Sequence, residues 1–284
     1  MSKDSIGTLY VVATPIGNLE DISARATRIL NTVDLIAAED TRRTQGLLST
    51  LNIKSQLISY HDHNEVEQTP VLIDQMTGGI SIALVSDAGS PLLSDPGIML
   101  VRAAHASGIS VVSVPGPSAV IAALSIAGLP TDRFIFEGFL PRASGPKSDR
   151  LSEIAADPRT IVLYESVHRL TKTLEALKAH FEADRVVFIC RELTKIHESI
   201  YEGTLGDLCE RVGTEIPLKG EFVLLVSGKE RVVSVEDNEL IRIFALLVKE
   251  MTPKKAVTLT AKITGTSRNR VYSVTRTRLS LGYE

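Results

Sequence analysis

The residues best able to do chemistry gather in three loops rich in glycine and proline, each following a strand-like run. Thr14-Pro15-Ile16-Gly17-Asn18 follows Leu9–Ala13, the stretch Ser86–Gly97 follows Ile80–Val85, and Val114–Ala119 follows Ser110–Ser113. Glycine there lets the backbone approach a ligand, and proline sets the loop before binding. Glu39 and Asp40 lie at a similar position. Adjacent carboxylates can raise one pKa enough to make a base. The alternative is a helix start, with Asp40 or Thr41 capping backbone N–H groups and Glu39 paired to Arg42 or Arg43. Asp87 either meets a ligand or closes its own turn. Glu165 either faces a cleft or pairs internally with Arg169 or Arg191. His61-Asp62-His63-Asn64 lacks a third partner for a metal, so no metal is expected and a hydrogen-bonded loop is the better reading. No GxGxxG follows the first strand and no GxxxxGK[ST] occurs; Gly145-Pro146-Lys147-Ser148 lacks the strand that a phosphate loop needs. A nucleoside ligand without phosphates therefore suits the loops better than a dinucleotide or ATP.

In an open parallel sheet, ligands sit beyond the carboxyl ends of the strands. The sequence predicts such a sheet. Strand-like runs at 34–38, 56–60, 80–85 and 110–114 alternate with helical segments near 43–51, 65–76 and 97–107, and Asp21 is placed to cap a first helix. The texture changes at Gly128-Leu129-Pro130, and Phe139–Ser148 reads as an exposed, mobile loop. Runs at 160–164, 185–190, 196–202 and 221–226 read as a second sheet, antiparallel in its last strands, with helices near 168–180 and 204–212. Glu239–Lys249 and Lys254–Ile263 read as helices. Beyond Gly265, Ser267 can cap a third that carries Arg268, Arg270, Arg276 and Arg278, in the manner of a helix-turn-helix. The fold class is α/β, with a mostly parallel N-terminal sheet, a mixed second sheet and a small helical C-terminal domain. The expected boundaries are 7–117, 118–230 and 236–284.

The 284 residues suit two or three domains, and 44% hydrophobic with 23% charged residues is ordinary globular composition. The two cysteines, Cys190 and Cys209, form no CxxC pair and fit a reducing compartment. Met1–Gly7 has no apolar leader core, and no run approaches the roughly 20 apolar residues of a membrane span, so a cytoplasmic protein is expected. The net charge of -3 conceals an asymmetry: Lys249–Glu284 holds eight Lys/Arg and two acids. A basic tail on an acidic body suits either a polyanionic partner or a solvated helix face.

A set of ordered motifs goes further. Thr14-Pro-Ile-Gly-Asn-Leu19, Ala37-Ala-Glu-Asp-Thr-Arg42, His61-Asp-His-Asn64, Leu84-Val-Ser-Asp-Ala-Gly-Ser-Pro91, Pro115-Gly-Pro-Ser118, Glu137-Gly-Phe-Leu-Pro141, Tyr164-Glu-Ser-Val-His-Arg169 and Arg191-Glu-Leu-Thr-Lys195 occur in this order. From about Leu9 to Val226 the chain resembles the ribosomal RNA small-subunit methyltransferase I family of the tetrapyrrole-methylase superfamily. Its basic end resembles that family's appended helix-turn-helix domain. The resemblance implies methyl transfer from S-adenosylmethionine to the ribose 2′-OH of a cytidine in the decoding region of 16S ribosomal RNA, by a homodimer acting on the small subunit.

It also implies a cofactor cleft between the two sheets. Pro15, Ile16 and Gly17 fall on its first loop, Asp87, Ala88, Gly89 and Ser90 on the second, Ser118 and Ala119 on the third. Tyr164, Leu193 and Phe222 fall near the second half's contacts. Ser90 and Ser118 stand where relatives often carry other small residues. Candidates for the chemistry are Glu39, Asp40, Asp87 and Glu165, with His61 or His63 as secondary bases. Candidates for RNA contact are Arg42, His61, His63, Arg142, Lys147, Arg150, Arg268 and Arg270. A tetrapyrrole C-methyltransferase is the rival within the superfamily, disfavoured by the basic tail and the Ala-Glu-Asp-Thr-Arg and His-Asp-His-Asn motifs. A ligand-sensing DNA-binding regulator is the rival outside it.

Overall fold

The computed structural model describes residues 6–229 and 235–279. The chain divides into two compact units, 1–229 and 230–284. The first contains two five-stranded sheets.

The first sheet is wholly parallel, in the order β3 (Gln56–Ser59), β2 (Leu35–Ala38), β4 (Ile82–Val85), β1 (Thr8–Val12), β5 (Ser110–Val114). Its inner strands Leu-Ile-Ala-Ala and Ile-Ala-Leu-Val are buried throughout, as strands covered on both faces must be. Leu9, Leu35, Ala37, Ile82 and Leu84 pack on helices α3 (Glu65–Thr77) and α4 (Ile98–Ala106). The alternate residues Val12, Ile36, Ala38, Ala83 and Val85 pack with Leu30 of α1 (Ala24–Thr32) and Leu48 of α2 (Thr41–Thr50). Asp21 does not cap α1. It ends a short 3-10 turn, and Ser23 accepts the Ala26 N–H at 3.0 Å instead. Helix α2 begins earlier than its apolar spacing suggests, because Asp40 caps it through the Arg42 N–H.

The second sheet is mixed, in the order β6 (Phe134–Phe139), β7 (Thr160–Ser166), β10 (Glu221–Val226), β8 (Val186–Arg191), β9 (Ser199–Thr204). Pairing is parallel between β6 and β7 and antiparallel elsewhere. Helices α6 (Ser144–Ile154), α7 (Leu170–His180) and α8 (Leu205–Arg211) cover one face, and α5 (Ala119–Ile126) covers the other. Three of these elements escape the sequence reading. The segment 139–148, expected as a loop, leads into α6. Gly145 and Pro146 sit in the helix's first turn, where proline's missing N–H removes no bond, and only Leu151 and Ile154 are buried. Helix α5 is too uniformly apolar to show a helical period, and β6 carries a bulge between Phe136 and Gly138 that interrupts its alternation.

The second unit holds α9 (Val235–Leu247), α10 (Pro253–Thr264) and α11 (Arg268–Leu279) around Leu240, Phe244, Val257, Ala261 and Val271. Pro253 opens α10, Gly265 closes it at φ 67°, and the Ser267 hydroxyl accepts the Arg270 N–H at 3.2 Å. The Arg278 side chain and residues 280–284 lie outside the described residues. Among the described residues, no helix is long and apolar enough to cross a membrane.

Gly97 caps α4 at φ 129°, and a Cβ there would stand 2.7 Å from Leu84 Cδ2. Gly97→Ala should lower the unfolding free energy by about 2–4 kcal/mol in urea denaturation. An unchanged midpoint would show that the 92–97 turn adjusts freely.

Candidate active site

The carboxyl ends of β1, β4 and β5 release the three loops side by side, and hydrogen bonds join them. Thr14 and Gly89 exchange backbone bonds of 2.9 and 3.0 Å, which Gly89 permits by taking φ 82°. The Thr14 hydroxyl donates to the Ser86 carbonyl at 3.3 Å, the Ser90 hydroxyl donates to the Pro117 carbonyl at 3.3 Å, and the Ala13 N–H donates to the Val114 carbonyl at 3.2 Å. The third loop then runs directly into α5, whose Val120, Ala123 and Leu124 pack on Val162, Val223 and Leu225 of the second sheet. One continuous set of contacts therefore carries the loops onto both sheets.

The acidic residues of the second and fourth strands latch together. Glu39 Oε2 accepts the Asp87 N–H at 3.1 Å, and Asp87 Oδ1 accepts the Asp40 N–H at 3.0 Å. Arg43 pairs with the other oxygen of Asp87 at 3.2 Å. Burial pushes the Glu39 pKa up, against the lowering effect of the Asp87 N–H. Asp40 differs sharply. Its carboxylate is gripped by the Arg42 side chain at 3.1 and 2.8 Å while capping α2, and the Arg42 hydrogen bonds hold its pKa far below the usual range. A carboxylate so stabilised is a poor proton acceptor, so Asp40 serves as cap and Arg42 partner.

A cavity of about 330 Å³ opens on this latch. Ile16, Asp87, Ala88, Gly89 and Ser90 line it from the first half; Ala119, Tyr164, Leu193 and Phe222 line it from the second. Pro15 and Gly17 do not line it; they border a separate groove. Gly17 serves packing between loops: a Cβ there would meet Lys195 Cγ at 2.3 Å. Ser118 is not among the residues lining the cavity, and its hydroxyl is buried with no partner. Leu193 stands in a turn whose neighbours Glu192 and Thr194 take φ 52° and 65°, conformations costly for such residues. Lys195 steadies that turn through Glu192 and Glu221, each at 2.8 Å.

Asp95, which sequence reasoning missed, also faces the cavity. Its pKa is pushed up to about 6, first by burial and then by the charges of Glu39, Asp87 and Asp62, with the Ser86 hydroxyl acting the other way. Burial, and next the nearness of Asp95, raise Tyr164 to about 12. The turn that presents Asp95 contains Leu92 and Ser94 at φ 74° and 68°. The Ser94-Asp95-Pro96-Gly97 string offered one signal: an acid embedded in a conformationally fixed loop after a strand.

The other candidates are engaged within the fold or lie away from the cavity; Glu165 borders the cavity, but its carboxylate is turned away. Glu165 is 2% exposed and turned to α7, accepting from Thr173 Oγ1 at 2.5 Å and the Ser166 N–H at 2.7 Å, with Arg169 at 3.4 Å. The pleat accounts for this, since Tyr164 and Glu165 must point to opposite faces of β7. Arg191 is buried and donates to the carbonyls of Lys219 and His197. Arg150 is held by Glu137 at 2.6 and 2.7 Å and by Glu153 at 2.6 Å, which leaves its guanidinium committed within the fold. Arg270 is likewise paired, with Asp237 at 3.2 Å and Glu236 at 3.8 Å. Arg142 and Arg268 are exposed, Lys147 is half-buried, and among the described residues none of the three is in an ion pair. His61 and His63 meet edge to face at 5.8 Å in a turn closed by Asn64, and His61 Nδ1 is buried without a partner. Among the described residues, no three His, Cys, Asp or Glu side chains are arranged to hold a metal.

Residues 8–209 match the family model described as Tetrapyrrole (Corrin/Porphyrin) Methylases, and residues 234–274 match one described as the RsmI C-terminal HTH domain. A protein of Xylella fastidiosa named ribosomal RNA small subunit methyltransferase I is 49% identical, over 94% of this chain and 98% of its own length. A protein of the same name from Escherichia coli is 48% identical, over 95% of each. Among solved structures, the methyltransferase CobJ shares the fold at a TM-score of 0.59 and 21% identity, over 80% of this chain and 97% of its own. Uroporphyrin-III C-methyltransferase of Thermus thermophilus, complexed with S-adenosyl homocysteine, shares it at 0.56 and 18%, over 78% and 97%.

The folded protein retains the Asp95 proton up to about pH 6, whereas an unfolded aspartate releases it near pH ~4. Folding takes up a proton between those values, so stability falls as pH rises through the window. Asp95→Asn should raise the unfolding free energy at pH 7.5 by about 1–2 kcal/mol, after discounting for solvent in the open cavity, and change it little at pH ~4. Urea denaturation at both pH values checks this. A loss of stability at pH 7.5 would mean that the carboxylate holds the loop together.

Proposed function

The chain belongs to the tetrapyrrole methylase family and, within it, to the ribosomal RNA small subunit methyltransferase I group; from that membership we propose that it methylates small-subunit ribosomal RNA using S-adenosylmethionine. The proposed target is the ribose 2′-oxygen of a cytidine in the 16S decoding region, with the assembled small subunit in the cytoplasm as substrate. One observation carries the choice of methyl donor. Glu39, Asp87 and Asp95 face the cavity opposite a single guanidinium, Arg43, between apolar walls. Such a pocket attracts a cation and repels phosphate groups. A nucleoside carrying a sulfonium fits this charge pattern. A dinucleotide does not fit.

When bound, S-adenosylmethionine supplies a methyl group already activated by its positive sulfur. The protein's part is alignment and proton removal. The joined loops hold both reactants in register, a contribution worth up to ~7–11 kcal/mol in favourable cases. A ribose hydroxyl is a weak acid and needs an acceptor in the transition state. Asp95 is the acceptor best suited among the cavity's acids: Glu39, also raised by burial, and Asp87 are occupied with backbone N–H groups, whereas Asp95 is pushed up to about 6. Glu39 acts as a positioning residue by holding Asp87.

The same reading takes 7–117 and 118–230 as the two methylase halves and 236–284 as an RNA-facing helix-turn-helix. In that last region Arg268 is available for phosphate contact and Arg270 is structural. A homodimer is also proposed. Ile121 and Ile126 of α5, 58% and 48% exposed, provide an apolar surface for a second copy.

Incubation with methyl-labelled S-adenosylmethionine and unmodified small subunits, free rRNA, duplex DNA or a tetrapyrrole separates the possibilities. Label should enter the rRNA at a nucleotide whose 3′ linkage then resists alkali. An alkali-labile linkage at the labelled site would overturn the ribose assignment, and label only in the tetrapyrrole would overturn the substrate class. In the wild type, kcat should rise with pH through about 6. Asp95→Asn should lose roughly 10²–10⁴-fold in kcat and lose that limb, with donor binding retained in calorimetry. A variant with wild-type turnover would remove Asp95 from the mechanism.

A further inference from the structure

Beside the cavity runs a groove of about 270 Å³ lined by Pro15, Leu19, Arg43, Gly46, Leu47 and Thr50. It adjoins the cavity, since Arg43 and Asp87 border both. Its helical wall contains an anomaly. Gly46 lies inside α2, at a position where glycine weakens a helix relative to alanine. Its backbone needs no left-handed conformation, and a Cβ there would find nothing within 4 Å. Neither packing nor dihedral angle requires glycine. What glycine supplies is clearance on the side of α2 that borders the groove.

The chemistry around that clearance suits a nucleotide. Arg43 lines the groove with its side chain 68% exposed. Arg43 commits one nitrogen to Asp87, which leaves other guanidinium donors for a phosphate. Pro15, Leu47 and the 46%-exposed Leu19 form an apolar surface against which a base can lie. The acidic cavity repels phosphates; in the adjoining groove the Arg43 donors not engaged by Asp87 are where a strand leaving that cavity finds positive charge.

We propose that this groove holds the nucleotide flanking the one methylated, and that Gly46 keeps it open. The inference rests on the reading of the protein as an RNA methyltransferase. Gly46→Phe fills the groove from a side chain outside the cavity, Thr50→Glu places a negative charge in it, and Gly46→Ala is the control for helix stability. With full-length protein, wild-type label in rRNA establishes the underlying reading before the variants are compared. Gly46→Phe and Thr50→Glu should each raise the KM for small subunits by about tenfold or more, with kcat within about twofold. Calorimetric affinity for S-adenosylmethionine and the mass by light scattering should stay unchanged. Gly46→Ala should melt at or above the wild-type temperature with an unchanged KM. If the wild type labels rRNA and both filled variants keep its KM, the groove assignment is wrong while the enzyme assignment stands. Lost affinity for S-adenosylmethionine would instead assign the groove to the donor, and a changed mass would assign it to a second copy of the chain; either result overturns the proposal. Failure of the wild type to label rRNA would overturn both readings.

Discussion

The reciprocal bond between Thr14 and Gly89 is the constraint from which the site's geometry follows. It joins the loop after β1 to the loop after β4 at the one place where both have left their sheet. Without it, two glycine- and proline-containing loops would each sample many conformations, and ordering them would fall to the ligand. With it, the first loop presents Ile16 to the cavity, and Gly89 sits close enough that an added Cβ would touch Ile16 Cγ2 at 3.3 Å. The third loop is tied to the same pair through Ser90 and Pro117. Backbone bonds made away from water hold better than exposed ones, so the cluster is pre-organised.

Electrostatics is layered on that frame. Glu39, Asp87 and Asp95 crowd one small space, an arrangement that costs stability unless some of the charge is neutralised. The fold neutralises it unevenly. Asp87 receives a backbone N–H and a guanidinium, Glu39 a backbone N–H, while Asp95 is left with a hydroxyl and a raised pKa. That inequality separates Asp95 from two carboxylates tied to backbone N–H groups. Asp40, adjacent in sequence to Glu39, lies outside this competition because α2 and Arg42 claim it.

Much of the fold was legible in the sequence. The alternation of Leu-Ile-Ala-Ala and Ile-Ala-Leu-Val runs with amphipathic segments specified a covered parallel sheet, because only burial on both faces tolerates unbroken apolar strands. The antiparallel end of the second sheet was legible from its short connections. Helices α5 and α6 were not. The apolar composition of α5 erases any helical period, and the Gly145-Pro146 start of α6 resembles a turn. That three loops gather at the carboxyl ends of the strands was legible, though Pro15 and Gly17 border the groove rather than the cavity.

Sequence by itself determined which residue types stand at the carboxyl ends of the strands, and hence that a pocket without a phosphate cradle forms there. Motif order determined the family. Which carboxylate faces the cavity was decided only by tertiary structure. Glu165 borders the cavity, but a pleat of period two turns its carboxylate to α7, and a helix cap claims Asp40. Asp95 gains its place because residues distant in the chain, Glu39 and Tyr164 among them, surround it. A pKa is set by what lies within a few ångströms in space, and adjacency in sequence carries almost none of that information.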